Sequence, residues 1–381
     1  MNVQMPCTVR HLSFVLLAGV LTFAASCSNP RRARQPGAAS ALDAASLAHD
    51  IALQTQARID QGYHLGTVIG VLDERGARYY GFGQLSLTDS TKPDADTLFE
   101  LGSVTKTFTS TLLADLHLRG ELDMRGPIER YLPVTGPVVA DSKRTFTLEA
   151  LSTHTAGLPR NPHNLDPNDD HRFRDYSRED LDAFLSEFTF ESPPGEYSYS
   201  NVGFMVLEHA IETHMNTSYE SLIQDRIARP LKMADTHFHV PDGKRARLAT
   251  PYRNGQHTDE IDVGQFPAMG GLRSTARDML TYLGAHLGLR SSPVSEAMRA
   301  THQERLDRGD TATALGWEIL KRSESGKTIH YYKGGTNGFV SFAGFDLDNR
   351  IGVVVLCNGT RWFSDLGFRL LDPAYPLATP Q

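Results

Sequence analysis

The chain has 381 residues, 40% hydrophobic and 22% charged, which suits a sizeable core in one large domain or two and excludes disorder, collagen and coiled coil as its main organisation. Its 38 Lys and Arg against 45 Asp and Glu leave a formal net charge of -7, so the balance gives no sign of a nucleic-acid or anionic-membrane footprint and suits a neutral or cationic small-molecule partner. Three cysteines, Cys7, Cys27 and Cys357, cannot build a disulfide framework or a cysteine metal site in the body of the chain.

Residues 1–26 carry Arg10 and His11 and then an uncharged run over 12–25, the charge-then-apolar order of a secretory signal, and this run is short for a membrane span. The segment Phe23-Ala24-Ala25-Ser26-Cys27 resembles the lipobox of bacterial lipoproteins, with Ala24 where that motif usually has Leu. Export to the periplasm or cell envelope and a lipid on Cys27 as membrane anchor are the expectations. Residues 27–45 are polar and turn-rich and read as a tether, leaving 46–381 as the folded domain.

In that domain, 66–72 and 77–85 are short apolar or alternating runs around Asp73-Glu74-Arg75-Gly76, the pattern of a hairpin. Val104, Phe108, Leu112 and Leu116 recur every four residues up to Gly120, predicting a helix buried on one face. Residues 120–300 read as mostly helical, broken by Pro- and Gly-rich loops at 159–170 and 192–195. Strand character returns at 328–333, 339–346 and 351–356, so the N- and C-terminal strands are expected to join in one sheet. Cys357 ends a strand as a buried apolar residue.

Three places draw chemical attention. In Ser103-Val104-Thr105-Lys106, helical spacing lets the Ser103 hydroxyl and the Lys106 amine meet. Ser103 could instead merely cap the helix, but a capping box wants Glu or Gln where Lys106 stands. A cation in the first turn is disfavoured by the helix dipole, which would leave more free amine to accept a serine proton, and the same helix start offers N–H groups to an oxyanion. Tyr199, in Tyr199-Ser200-Asn201, is either a core-edge aromatic or a phenol held near a cation to shuttle protons. The stretch Tyr332-Lys333-Gly334-Gly335-Thr336-Asn337-Gly338-Phe339 offers glycines at a strand edge, which suit a turn or the close approach of a ligand.

Taken in order, Ser-x-x-Lys, then Tyr-Ser-Asn, then a glycine-rich strand near the C-terminus resemble the serine β-lactamase and penicillin-binding-protein superfamily, on its class C and D-alanyl-D-alanine carboxypeptidase side. Phe99-Glu100-Leu101-Gly102, Leu151-Ser152-Thr153-His154-Thr155-Ala156-Gly157-Leu158-Pro159 and Gly270-Gly271-Leu272-Arg273-Ser274-Thr275 add to the resemblance. It implies an α/β (α+β) fold with an antiparallel sheet flanked by helices and a mostly helical middle region. It also implies a two-step acyl transfer on β-lactam or D-alanyl peptide amides, with Ser103 as nucleophile and Lys106 and Tyr199 sharing its proton. Ser103 and Gly335 N–H groups would form the oxyanion hole, Asn201 would orient substrate and Lys106, and Thr336 would touch substrate. No metal or cofactor is implied. An esterase of the same fold, or a protein that binds a penicillin or peptide without turnover, is the alternative.

The sequence departs from the pattern at one point. Counting back from Gly338-Phe339, the place where the family usually has Lys or His holds Tyr332, and Lys333 falls one residue later. Side chains alternate across a strand, so only one can point inward, and the spacing favours Tyr332. Loss of the cation would weaken binding of a substrate carboxylate. His237 and His239 lack a third metal ligand, His154 reads as a structural hydrogen-bonding histidine, and Gly-x-Ser-x-Gly is absent.

Overall fold

The turn at 73–76 is built by its own charges: Asp73 accepts from the Arg75 backbone at 2.9 Å and from the guanidinium groups of Arg75 and Arg78. It joins β1, Gly66–Asp73, to β2, Gly76–Gly83, as the alternation predicts. The computed structural model describes residues 44–132, 146–166, 169, 171–190 and 193–378, with side chains from residue 49. The signal segment, Cys27 and nearly all of the tether lie outside the described residues, and helix α1, Ala44–Asp60, begins just before the boundary expected at 46.

Two short ribbons pair β3, Leu98–Glu100, with β6, Arg273–Thr275, and β4, Tyr252–Arg253, with β5, Gln256–His257. The remaining strands are β7, Leu306–Asp307, β8, Thr311–Thr313, β9, Glu318–Leu320, β10, Ile329–Gly335, β11, Val340–Asp346, and β12, Ile351–Cys357. They join the first hairpin in one antiparallel sheet of order β2-β1-β12-β11-β10-β9-β8-β7. The N-terminal hairpin therefore meets the C-terminal strands through β1 and β12, as expected. Both faces of the sheet are covered, which is why Ile351–Cys357 is apolar throughout: Val354 and Leu356 face one core, and Val353, Val355 and Cys357 the other. The Cys357 thiol contacts Thr67 Oγ1 at 3.0 Å, and burial pushes its pKa up.

The second core is closed by α1 and the C-terminal helix Ser364–Leu371, the first by the helical middle. At its centre lies α2, Thr105–Leu118. The periodicity predicted burial on one face, but every side chain from Thr105 to Leu116 is buried. The hydroxyls on the supposedly polar face bond back to the helix: Thr107 to Val104 O, Ser110 to Lys106 O and Thr111 to Thr107 O, each at 2.9 Å. The middle region also contains α3, Arg178–Glu187, α4, Asn201–Met215, α5, Ala276–His286, and α6, Ser295–Thr301.

Burial of neutral histidines gives the domain an acid limit. His286 Nδ1 meets His302 Nε2 at 2.8 Å, and His330 Nε2 meets His302 O at 3.0 Å, all packed around Phe345. Desolvation lowers the pKa of all three, that of His302 to about 3, and lowers His64 to about 4 and buried His154 well below the usual value. Unfolded histidines take up protons below about pH 6.5 while these do not, so their stabilising share is complete above that pH and each loses about 1.4 kcal/mol per pH unit below it. Buried Glu100 and Glu208, raised by desolvation, and Asp278, raised to about 6, pull the other way. The histidines outnumber them, so the urea midpoint is expected to be lower at pH 5.5 than at pH 7. An equal or higher midpoint at pH 5.5 would mean that the carboxyls prevail.

Candidate active site

Residues before α2 set the floor of the site. Gly102–Val104 forms a single 3-10 turn, and Gly102 has φ +50°, a left-handed conformation in which a Cβ would lie 2.8 Å from both N and O of Gly335. The preceding strand residue is equally constrained, since a Cβ on Gly334 would overlap the carbonyl of Leu101. The turn carrying Ser103 thus packs directly on the backbone of β10. Beneath it, buried Glu100 accepts from Ile261 N at 2.8 Å and from Arg273 Nη2 at 3.1 Å, tying β3 to β6.

Ser103 does not cap the helix. Its Oγ lies 2.6 Å from Tyr199 Oη and 3.3 Å from Lys106 Nζ. Ser200, by contrast, is a true N-cap: its Oγ accepts from Gly203 N at 2.8 Å, which starts α4 and fixes Tyr199 on one side of it and Asn201 on the other. Lys106 is fully buried, donating to Asn201 Oδ1 at 3.0 Å and to the carbonyl of Met269. Asn201 is itself held, its N donating to Arg160 O at 2.8 Å and its Nδ2 to Asn161 Oδ1 at 2.9 Å.

Electrostatics leave a base beside Ser103. Desolvation is the largest cause lowering the Lys106 pKa, so burial favours the free amine. Burial also pushes Tyr199 upward, but Lys106, the Ser103 hydroxyl and Arg160 outweigh it and hold the phenol below its usual range. The Arg160 guanidinium is exposed and lies 4.9 Å from the centre of the Tyr199 ring. A buried pair avoids net charge, so Lys106 and Tyr199 share one proton, as amine plus phenol or as ammonium plus phenolate. With both amine hydrogens taken by Asn201 and Met269 in the first state, the lone pair is left for Ser103; in the second, the phenolate faces it.

On β10 the alternation resolves the choice left by the spacing. Tyr332 is buried, with its Oη 2.9 Å from His154 Nε2, whereas Lys333 is exposed on the other face, 5.9 Å from the centre of the Tyr331 ring. Lys333 is therefore not part of the cluster around Ser103. Thr336, expected to touch substrate, has its hydroxyl accept from Phe339 N at 3.2 Å and so holds the turn into β11. β9 pairs with β10 only as far as Tyr331, which leaves the β10 edge beyond it unpaired with β9 beside Ser103. His237 contacts Lys244 at 3.2 Å and His239 contacts Glu220 at 3.3 Å; among the described residues no three metal-ligating side chains converge.

Sequence reasoning did not assign Arg160, Asn161 or the Met269 carbonyl to the site, and took His154 for a structural residue only. Of these only His154 lies within the stretches singled out at 151–159 and 270–275; Arg160 and Asn161 follow the first and Met269 precedes the second.

Comparisons with known proteins place the chain among similar sequences and folds. The profile of the Beta-lactamase family matches residues 53–371. The chain is 26% identical over 335 residues to a Beta-lactamase of Escherichia coli (strain K12), covering 79% of this chain and 85% of that one. It is 26% identical over 309 residues to the D-alanyl-D-alanine-carboxypeptidase/endopeptidase AmpH of the same strain, covering 76% and 78%. The crystal structure of D-alanine carboxypeptidase AmpC from Burkholderia cenocepacia superposes with a TM-score of 0.74 at 25% identity, covering 87% of this chain and 100% of that one.

Proposed function

The chain belongs to the Beta-lactamase family, a hydrolase by that membership, and we propose that it hydrolyses β-lactam or D-alanyl peptide amide bonds through an acyl-enzyme on Ser103. The observation that carries this reading is the approach of Tyr199 Oη and Lys106 Nζ to one serine oxygen, at 2.6 and 3.3 Å. Ser103 Oγ attacks the carbonyl carbon while its proton passes to the Lys106–Tyr199 pair, and the pair returns that proton to the leaving nitrogen. Water then attacks the ester, giving the acid and free Ser103. The Ser103 and Gly335 N–H groups are the proposed oxyanion donors, supported by the packing of Gly102 on Gly335. Asn201 holds the amine and meets the substrate amide.

Tyr332 supplies no charge for a substrate carboxylate, which favours an ester or neutral amide as a second reading. Arg160 favours the first. It is an exposed cation over Tyr199, without a carboxylate partner among the described residues.

The test is the intact mass of the chain mixed with a penicillin and followed over time. A transient adduct with the drug consumed is expected of a β-lactamase, and a persistent one of a peptidase or binding protein. No adduct, with turnover of a p-nitrophenyl ester instead, would move the substrate class to esters. The proposal also places the chain in the cell envelope through export by residues 1–26 and a lipid on Cys27. A diacylglyceryl mass on membrane-extracted protein, absent after Cys27→Ala, would support that anchor, and an unlipidated mature mass would refute it.

A further inference from the structure

Of the large apolar side chains exposed among the described residues, three are leucines and the fourth is Trp362, 58% exposed. The backbone on either side of this indole is fixed. Buried His64, kept neutral by desolvation, donates from Nε2 to the Arg361 carbonyl at 2.7 Å, and its ring meets that of buried Phe363 edge-on at 5.0 Å. The Arg361 guanidinium lies 4.3 Å from the centre of the Tyr63 ring. From this anchored segment Trp362 reaches β10: a Cβ on Gly335 would meet its Cζ2 and Cη2 at 3.4 Å, an ordinary van der Waals contact. The ring is therefore placed by its benzo edge, and its exposure leaves a face open to water. Gly335 also packs on Gly102, the residue before Ser103, and β10 is unpaired with β9 there. An open aromatic face thus stands one glycine away from the turn that carries the proposed nucleophile. The exposed leucines have no such place: Leu53 lies on α1, Leu118 ends α2 at the far end from Ser103, and Leu87 is in a loop held by Tyr252.

We propose that Trp362 determines specificity: its open face stacks on an aromatic group, or another flat apolar one, carried beside the reacting carbonyl. Covering an exposed indole with a second ring removes apolar area from water and adds the offset or edge-on contact that aromatic pairs favour. The anchored backbone of 361–363 limits the freedom lost when the ligand is seated. The ring it takes can belong to the acyl side of the carbonyl, as in a phenylacetyl amide, or to the leaving side, as in a phenyl ester; the chemistry recognised is the same. The inference deepens the acyl-enzyme reading and rests on it for which carbonyl is attacked, not for the stacking itself.

The chain has two tryptophans, and they differ in exposure: Trp317 is fully buried and Trp362 is open. Acrylamide quenching of tryptophan emission therefore reads Trp362, and loss of the quenchable signal in Trp362→Phe assigns it. The full chain carrying Ser103→Ala, used so that ligand is not consumed, is titrated with two matched pairs. One is benzylpenicillin and 6-aminopenicillanic acid, the same nucleus without the phenylacetyl group; the other is phenyl acetate and ethyl acetate. Shielding of Trp362 by an aryl ligand and not by its partner is expected, and the pair that shows it gives the side of the carbonyl. No shielding by either aryl ligand overturns the inference. With Ser103 in place, Trp362→Ala is expected to lower kcat/KM about ten-fold for whichever aryl substrate is turned over, and less than about two-fold for its partner without the ring. An equal loss for both would assign Trp362 to supporting Gly335 and overturn the inference. The covalent adduct at Ser103 is read separately by mass. An adduct without shielding removes the stacking and keeps the acyl-enzyme reading, and shielding without an adduct does the reverse.

Discussion

Replacing Ser103 with alanine is expected to abolish the penicillin adduct and to reduce turnover of any substrate by about 10⁴-fold or more, the scale on which loss of a nucleophile acts when the rest of a site survives. The survival of the rest is what makes the result interpretable. Ser103 sits in a one-turn 3-10 helix whose position is set by Gly102 against Gly335 and by buried Val104, none of which involves the hydroxyl. The change deletes one oxygen and leaves Lys106 bonded to Asn201 and Met269. The urea midpoint should therefore shift little. Retained turnover in this variant would sink the mechanism, and loss of activity together with collapse of the fold would be seen in the same midpoint measurement.

Much of this arrangement was legible in the sequence, for reasons that differ from one element to the next. The hairpin at 66–83 and the joining of β1 to β12 follow from alternation and turn residues, which are local signals. The placement of Tyr332 inside and Lys333 outside follows from counting along a strand. Strands β7 to β9 went unread because elements of two or three residues carry no period. The burial of α2 on all sides was hidden by its threonines and serines, which look polar until their hydroxyls are paid back to the helix carbonyls. The contact of His154 with Tyr332 spans 178 positions, and no spacing rule reaches across that distance. The largest cause of the lowered Lys106 pKa was also out of reach: a dipole can be inferred from a helix start, but desolvation depends on what the fold packs around the amine.

Tyr199→Phe separates the two readings that the sequence left open for this residue. If Tyr199 were only a core-edge aromatic, phenylalanine would preserve its packing against His154 and acylation would change by less than about two-fold. If it exchanges the Ser103 proton, acylation of Ser103 by a penicillin is expected to slow by about 100-fold or more in stopped-flow mixing, the usual worth of a positioned acid-base group. The loss should still fall short of that in Ser103→Ala. Without the phenol, Lys106 remains buried and biased to the free amine, and it keeps a 3.3 Å contact with Ser103 Oγ through which a slower transfer can run. That residual reaction should follow the titration of one group rather than of a pair sharing a proton, so its pH dependence should differ in shape from that of the parent. A uniform drop at every pH with an unchanged profile would show that Tyr199 places the substrate and that the proton passes through Lys106 alone.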